Sequence, residues 1–165
     1  MRKLWLLLPV LGLLWGCARQ EVFERVEDLY QVRPPVAGVI AVDVPADALV
    51  TAMATGEDST IYFCDGYTLT VQTLAGGDLG RTVTELTGFG PEAVTLVQTR
   101  DGELKRYEGT WICAGEGGDQ VGQLVLLDDG GHHYAVTVMA PAARVGQLRL
   151  VWDSLLDSVT LRTDP

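Results

Sequence analysis

An Asp-Gly pair, Asp65-Gly66, interrupts a stretch of β-forming residues and predicts a tight β-hairpin. The preceding residues 61–64 read Ile-Tyr-Phe-Cys, and in residues 67–74 apolar side chains alternate with threonine and glutamine. Asp-Gly is typical of a two-residue turn because the central positions of that turn need positive φ. The alternation gives the second strand one apolar face and one wet face. The chain is therefore expected to form an antiparallel sheet here.

Further turn signals, Asp101-Gly102 and the Asp-Asp-Gly-Gly run at 128–131, separate other alternating segments. The glycine-rich residues 115–120 predict a flexible connection, and residues 46–55 predict a helical turn or a loop. Strands are predicted over residues 37–44, 61–64, 67–74, 94–99, 104–113, 121–127, 132–140 and 159–161.

Two helices are predicted between these strands. The first begins after Asp78, a typical N-cap, and ends at Gly88. The second starts at Pro141 and contains Trp152. Apolar residues recur at helical spacing in both: Leu79, Val83 and Leu86 in the first, and Val145, Leu148, Trp152 and Leu155 in the second. The predicted fold class is α+β, with a single antiparallel β-sheet and helices packed on it.

The N-terminus predicts an export signal. Arg2 and Lys3 precede the uncharged apolar run 4–15, which is too short to cross a membrane, since crossing takes about 20 residues. The residues Leu-Trp-Gly-Cys ending at Cys17 resemble a bacterial lipobox. This resemblance implies a lipoprotein signal peptide (1–16), lipidation of Cys17 with palmitate-type chains, a lipidated tether (17–36) and a single domain (37–165). The alternative, a buried N-terminal helix with a free thiol, fits the order of charges less well.

The charge balance excludes some partners. Without Arg2 and Lys3 the chain has 10 basic and 22 acidic side chains, and its formal net charge is −12. Nucleic acid needs clustered lysine and arginine, so no nucleic-acid partner is expected. Anionic headgroups would repel the domain, so membrane contact is expected through the lipid anchor alone. The predicted location is the cell membrane, facing outside the cytoplasm.

Two cysteines remain besides Cys17, and the sequence leaves their state open. Export permits a disulfide between Cys64 and Cys113. Lone cysteines also behave as small buried hydrophobic residues. Both alternatives, a disulfide and two buried thiols, are kept.

The run from Val121 to Leu161 contains a strand, the Asp-Asp-Gly-Gly turn, the strand HHYAVTVMAP, a helix with Trp152 and the closing segment DSVTL. This order resembles the Mog1/PsbP fold, with Ser158 at the start of its short final strand. The resemblance implies a binding or assembly module rather than an enzyme. The whole chain is also similar in layout to short lipoproteins of anaerobic Gram-positive bacteria. A likeness of fold does not identify a site.

No catalytic or metal-binding pattern stands out in the sequence. His132 and His133 are adjacent in a strand, so they point to opposite faces and do not share a metal. The run 128–131 offers only two acids, too few for a calcium loop. Residues 115–118 lack the Lys-Ser/Thr of a phosphate loop, and no G-x-S-x-G elbow is present. The sequence therefore predicts no metal, no cofactor and no enzymatic activity.

The segment 104–113 carries the candidate binding surface. Its two faces hold Tyr107, Trp111 and Cys113 on one side and Arg106, Glu108 and Thr110 on the other. Tyr107 and Trp111, with Glu116 and Asp119 of the next loop, form the predicted surface. The predicted function is a non-enzymatic, lipid-anchored module that binds a protein or envelope component. The alternatives are a small-molecule or ion-binding lipoprotein associated with a transporter and an envelope hydrolase using paired carboxylates.

Overall fold

The computed structural model describes residues 38–44, 51–56 and 58–162, and of 51–56 it describes only the backbone. The described residues belong to one compact unit, Val36–Pro165. The predicted signal peptide, Cys17 and the tether lie outside the described residues. Within the described ranges, no helix is both long and apolar enough to span a membrane.

The unit is an α+β fold built on antiparallel strands. Seven strands form one sheet in the order β2-β3-β4-β8-β7-β6-β5, and β1 and β9 form a separate pair. Among the described residues, two α-helices and one 3₁₀ turn, Pro91–Ala93, join the strands. The elements are β1 (Val39–Ala41), β2 (Thr51–Gly56), β3 (Ser59–Cys64), β4 (Tyr67–Ala75), α1 (Leu79–Thr87), β5 (Thr95–Arg100), β6 (Lys105–Gly115), β7 (Gly118–Asp128), β8 (His132–Pro141), α2 (Ala142–Asp157) and β9 (Thr160–Arg162).

The prediction of a single sheet was wrong, because β1 and β9 pair with each other and with none of the other described strands. Ile40 lies opposite Leu161, and both side chains pack against the core on the α2 side of the large sheet. Each strand has only three residues. The two strands form their hydrogen bonds with each other, so the pair lies beside the core as a short, separate sheet.

The predicted hairpin at Asp65-Gly66 is confirmed: Gly66 has φ 81°, and Cys64 lies opposite Tyr67. Two other segments differ from expectation. Residues 51–55, predicted as a helical turn or loop, lie in β2, because pairing with β3 overrides their weak local preference. Residues 115–120 are not a flexible connection. The β6–β7 ladder continues to Gly115 opposite Gly118, whose φ of 113° allows the tight turn.

One helix packs on each face of the large sheet. On the first face, Leu148 and Trp152 of α2 pack against Val125, Val136 and Val138. On the second face, Val83 of α1 packs with side chains of β6 and β7. Both predicted helices are confirmed by their bounds. The α1 caps also match: the Asp78 side chain accepts from the Gly80 N–H, and Gly88 is left-handed at φ 76°. The two cores therefore lie on opposite sides of the central strands.

Candidate functional site

Helix α2 packs on β7 and β8 and leaves the same face of β5 and β6 open. The result is a groove of about 520 Å³, here called the β5–β7 groove. Its floor consists of alternate side chains of three strands, and α2 forms its wall. The floor includes Thr95, Val97 and Thr99 of β5, Arg106, Glu108 and Thr110 of β6, and Gln123 and Val125 of β7; the wall includes Asp153, Leu156 and Asp157.

Arg106 fixes the end of α2 beside this floor. Its Nη2 donates to the carbonyl of Leu156 at 2.9 Å, and its Nη1 donates to the carbonyl of Val159 at 3.2 Å. Its Nε donates to the Glu108 carboxylate at 2.9 Å. The guanidinium thus adds a charge-assisted hydrogen bond to the last turn of α2 and another to the residue that follows its C-cap. Arg106 holds the groove wall to the groove floor.

The groove carries an excess of negative charge. Glu108, Asp153 and Asp157 supply three carboxylates, and Arg106 supplies the one guanidinium among the lining side chains. Glu108 also accepts a hydrogen bond from Thr99 Oγ1 at 3.2 Å. Asp153 Oδ2 lies 3.9 Å from Arg149 Nε, and both side chains are largely exposed, so this pair adds little stability. The groove can therefore attract cationic groups.

The predicted binding surface is buried at one of its four positions and partly buried at another. Trp111 is only 2% exposed, and the partly buried Tyr107 packs against the same core cluster beneath α1. Glu116 and Asp119 are exposed in and beside the turn of the β6–β7 hairpin. Alternation placed Tyr107 and Trp111 on one face correctly, but it does not say which face a helix covers. The part of this prediction that concerns Glu116 and Asp119 stays open.

The groove was not predicted, although the sequence contains a signal for it. The alternation along residues 104–113 places Arg106, Glu108 and Thr110 on the face opposite Trp111, and these three residues do line the groove. The missing information was the position of α2, which is set by tertiary packing.

Cys64 and Cys113 are not joined by a disulfide. Cys64 lies in β3 and packs on the α2 side, whereas Cys113 lies in β6 and packs on the α1 side. The two strands are four places apart in the sheet, roughly 19 Å at about 4.8 Å per strand. A disulfide needs Cα atoms within about 7 Å. Of the two alternatives, the structure therefore favours two thiols.

The two histidines face opposite sides of β8, as predicted. His133 is 1% exposed, and its Nδ1 lies 2.7 Å from Thr82 Oγ1. Its Nε2 lies 3.8 Å from Asp128 Oδ1, which is too long for a hydrogen bond. Thr82 is also buried, so this contact ties α1 to β8 and presents no reactive group. In the described ranges, no three His, Cys, Asp or Glu side chains cluster closely enough to hold a metal ion.

A second polar network joins the turn at 128–131 to the first strand. The buried Tyr134 hydroxyl donates to Asp129 Oδ2 and accepts from the Gly38 N–H, both at 2.7 Å. Burial raises the pKa of Asp129, but the hydrogen bonds from Tyr134 and from the N–H groups of His132 and Gly131, with the nearby His132 ring, outweigh it and lower that pKa below 3.8. Burial and the bond to Asp129 raise the pKa of Tyr134 from 10.0 to about 12.

Asp129→Asn is expected to lower the free energy of unfolding by about 1–2 kcal/mol at neutral pH, since hydrogen bonds to a charged acceptor are lost. The folded-state pKa of Asp129 is depressed, so its contribution is complete above pH 3.8 and is lost as the pH falls further. The contribution of Tyr134 is complete below pH 10.0 and is lost as the pH rises through about 12. Urea unfolding across the acid range checks the first effect. Asp65→Asn, at a 99% exposed side chain, is the control, and an equal acid slope in Asp129→Asn and wild type would contradict the assignment.

Comparisons with known proteins give no family. No family model matches the chain, and no curated protein matches it. Solved structures that are similar to it at low identity include the following three. A protein from Bacteroides thetaiotaomicron VPI-5482 has a TM-score of 0.49 and 14% identity over 76% of this chain, which spans only 46% of that structure.

The other two structures are of similar length to this chain. LpqN, involved in cell envelope biogenesis of Mycobacterium tuberculosis, has a TM-score of 0.48 and 12% identity, covering 78% of this chain and 86% of LpqN. The Ran-binding protein Mog1p of Saccharomyces cerevisiae has a TM-score of 0.47 and 13% identity, covering 74% of this chain and 89% of Mog1p. At TM-scores below 0.5, the resemblance to the Mog1/PsbP fold stays a prediction. The α+β architecture rests on the observed strand order.

Proposed function

We propose that this chain is a lipid-anchored, non-enzymatic protein outside the cytoplasm whose folded domain binds a protein or cell-envelope component in the β5–β7 groove. The observation that carries the proposal is the half-covered sheet face. Helix α2 leaves the face of β5 and β6 open as a groove bordered by carboxylates.

Exposed apolar side chains on this face support a binding role. Val97 is 55% exposed, and Ile112, on the same face of β6, is 66% exposed. Apolar groups on an open sheet face with a charged border are typical of interaction sites. The groove is lined by a mixture of polar and apolar groups and is open along β5. Small molecules usually bind in deep, mostly apolar pockets, so this groove favours a macromolecular partner.

The anchor is the second part of the proposal. The lipobox at Cys17 and the tether 17–36 would hold the domain near the outer surface of the cell membrane. A partner in the envelope is then reached by a short diffusional search.

Val97→Arg is expected to abolish the capture of a groove partner. Val97 lies opposite Glu108, so the new guanidinium would lie against that carboxylate and fill the groove. The full-length protein and its variant are used as bait on detergent-solubilised membranes. Phe63→Arg is the matched control, because Phe63 is 44% exposed on the other face of the sheet. A partner that binds wild type and Phe63→Arg but not Val97→Arg supports the proposal; equal capture by all three would refute it.

One observation favours a second candidate function, an envelope hydrolase. Glu108 lies on the floor of the same groove whose wall carries Asp153 and Asp157. A hydrolase needs two such carboxyl groups on either side of a bound glycoside. Glu108 is however already bonded to Arg106 and Thr99. Purified wild-type protein that hydrolyses a chromogenic glycoside, with turnover lost in Glu108→Gln, would establish the hydrolase.

A further inference from the structure

Strand β5 is an outer edge of the seven-stranded sheet. It pairs with β6 on one side, and among the described strands none pairs with its other side. All its side chains except Leu96 are exposed. An edge strand offers backbone N–H and C=O groups to an incoming strand. The outer side of β5 is therefore a site where backbone hydrogen bonds can form.

The first half of β5 lacks the usual protection against such pairing. Residues 95–98 read Thr-Leu-Val-Gln, without proline, lysine or another charge. The irregularity in its pairing with β6 comes later, between Gln98 and Arg100. Four residues at the start of β5 thus present an extended, uncharged edge.

The edge and the groove are continuous. Thr95, Val97 and Thr99 of β5 are also the outermost floor residues of the β5–β7 groove. A strand added to β5 would lie about 4.8 Å from it, with alternate side chains on the groove face. Long side chains on that face would extend across Val97 towards Glu108, its cross-strand neighbour.

The charge of the groove determines which side chains an added strand can place in it. Glu108, Asp153 and Asp157 outnumber the one lining guanidinium, and that guanidinium is occupied by backbone carbonyls and Glu108. Lysine or arginine at alternate positions of an added strand would complement these carboxylates. Acidic side chains at the same positions would be repelled.

We propose that the partner binds through an extended segment with alternating basic residues, which adds as a strand to the outer side of β5 and places its basic side chains in the β5–β7 groove. Backbone hydrogen bonds supply the pairing, and the carboxylates supply the preference for basic residues. This inference rests on the proposed function of the groove.

A capped peptide in which lysine alternates with threonine and valine is the probe, titrated into the full-length protein in detergent. Binding is expected to slow hydrogen exchange of the β5 amides. Replacing the lysines with glutamate, or methylating alternate peptide nitrogens, is expected to weaken binding at least about tenfold. The triple variant Glu108→Gln, Asp153→Asn, Asp157→Asn is expected to bind about eightfold more weakly, about twofold for each carboxylate.

The control variant Asp65→Asn, Glu85→Gln removes two exposed carboxylates that lie outside the groove, and it is expected to bind the peptide like wild type. An equal loss in this control would show unspecific charge attraction and overturn the inference. Binding without slower exchange in β5 would overturn the strand addition, and so would failure of the peptide to bind. Each of these results leaves the proposed function standing if Val97→Arg loses the native partner. If Val97→Arg still captured that partner, the result would contradict the proposed function itself.

Discussion

Trp111→Ala is expected to lower the free energy of unfolding by about 3–5 kcal/mol, the usual range for deleting a buried aromatic side chain. The indole is 2% exposed and packs with Val83, Leu124 and Leu126 beneath α1. Its loss leaves a cavity between the helix and the sheet. Urea unfolding followed by circular dichroism measures the change, because the substitution itself removes a fluorescent side chain. A variant that keeps wild-type stability but loses a partner would instead restore Trp111 to a binding surface.

Gly122 provides a second test of the same packing. It lies opposite Trp111, and a Cβ at Gly122 would overlap the indole ring. Gly122→Ala is therefore expected to cost about 1–3 kcal/mol in wild type. In the Trp111→Ala background the added methyl enters vacated space, so the cost should fall or reverse. Strictly additive effects would contradict the close contact.

Cys17→Ser is expected to abolish incorporation of labelled palmitate into the protein. Serine offers no thiol for the diacylglyceryl group, and each buried methylene of that group contributes about 0.8 kcal/mol to membrane attachment. The wild-type product should begin at acylated Cys17, whereas the variant should carry no acyl mass at its N-terminus. Intact-protein mass spectrometry measures both.

Cys64→Ser and Cys113→Ser are the matched controls, because these two cysteines lie inside the folded domain, in β3 and β6, and not at the predicted lipidation site. Both variants should incorporate label like wild type. Label that persists in Cys17→Ser, or a wild-type protein that keeps an unmodified Met1, would contradict the anchor.

Elements whose signals are local were predictable from the sequence. The turn at Asp65-Gly66 needs only a glycine at positive φ between two alternating segments. Helix α1 carries its own start and stop in Asp78 and Gly88. Such residues act on their immediate neighbours, so a single sequence reveals them.

Elements formed by distant pairing were not predictable in the same way. Thr51–Gly56 is a strand because β3 lies beside it. Ile40 pairs with Leu161, which lies near the other end of the chain, so no local sequence pattern could predict the second sheet. In both cases the pairing partner, not the segment itself, decides the conformation.

The prediction of the candidate site was wrong at one step, the choice of which face of β6 is exposed. Alternation correctly separated Arg106 and Glu108 from Trp111, but the aromatic face was taken as the exposed one. Gly122 carries one further signal, since a glycine within an apolar strand indicates close approach of another group. That group is the Trp111 ring, which identifies the aromatic face as core and leaves the other face for the groove.

The most direct test of the groove is photo-crosslinking in living cells. A benzophenone amino acid is placed at Asp153 on the exposed wall of the groove, at Phe63 on the opposite face, or at Glu116 in the β6–β7 turn. A crosslinked partner at Asp153, with none at the other two positions, is the predicted result. Crosslinking at Phe63 or Glu116 with none at Asp153 would contradict the account.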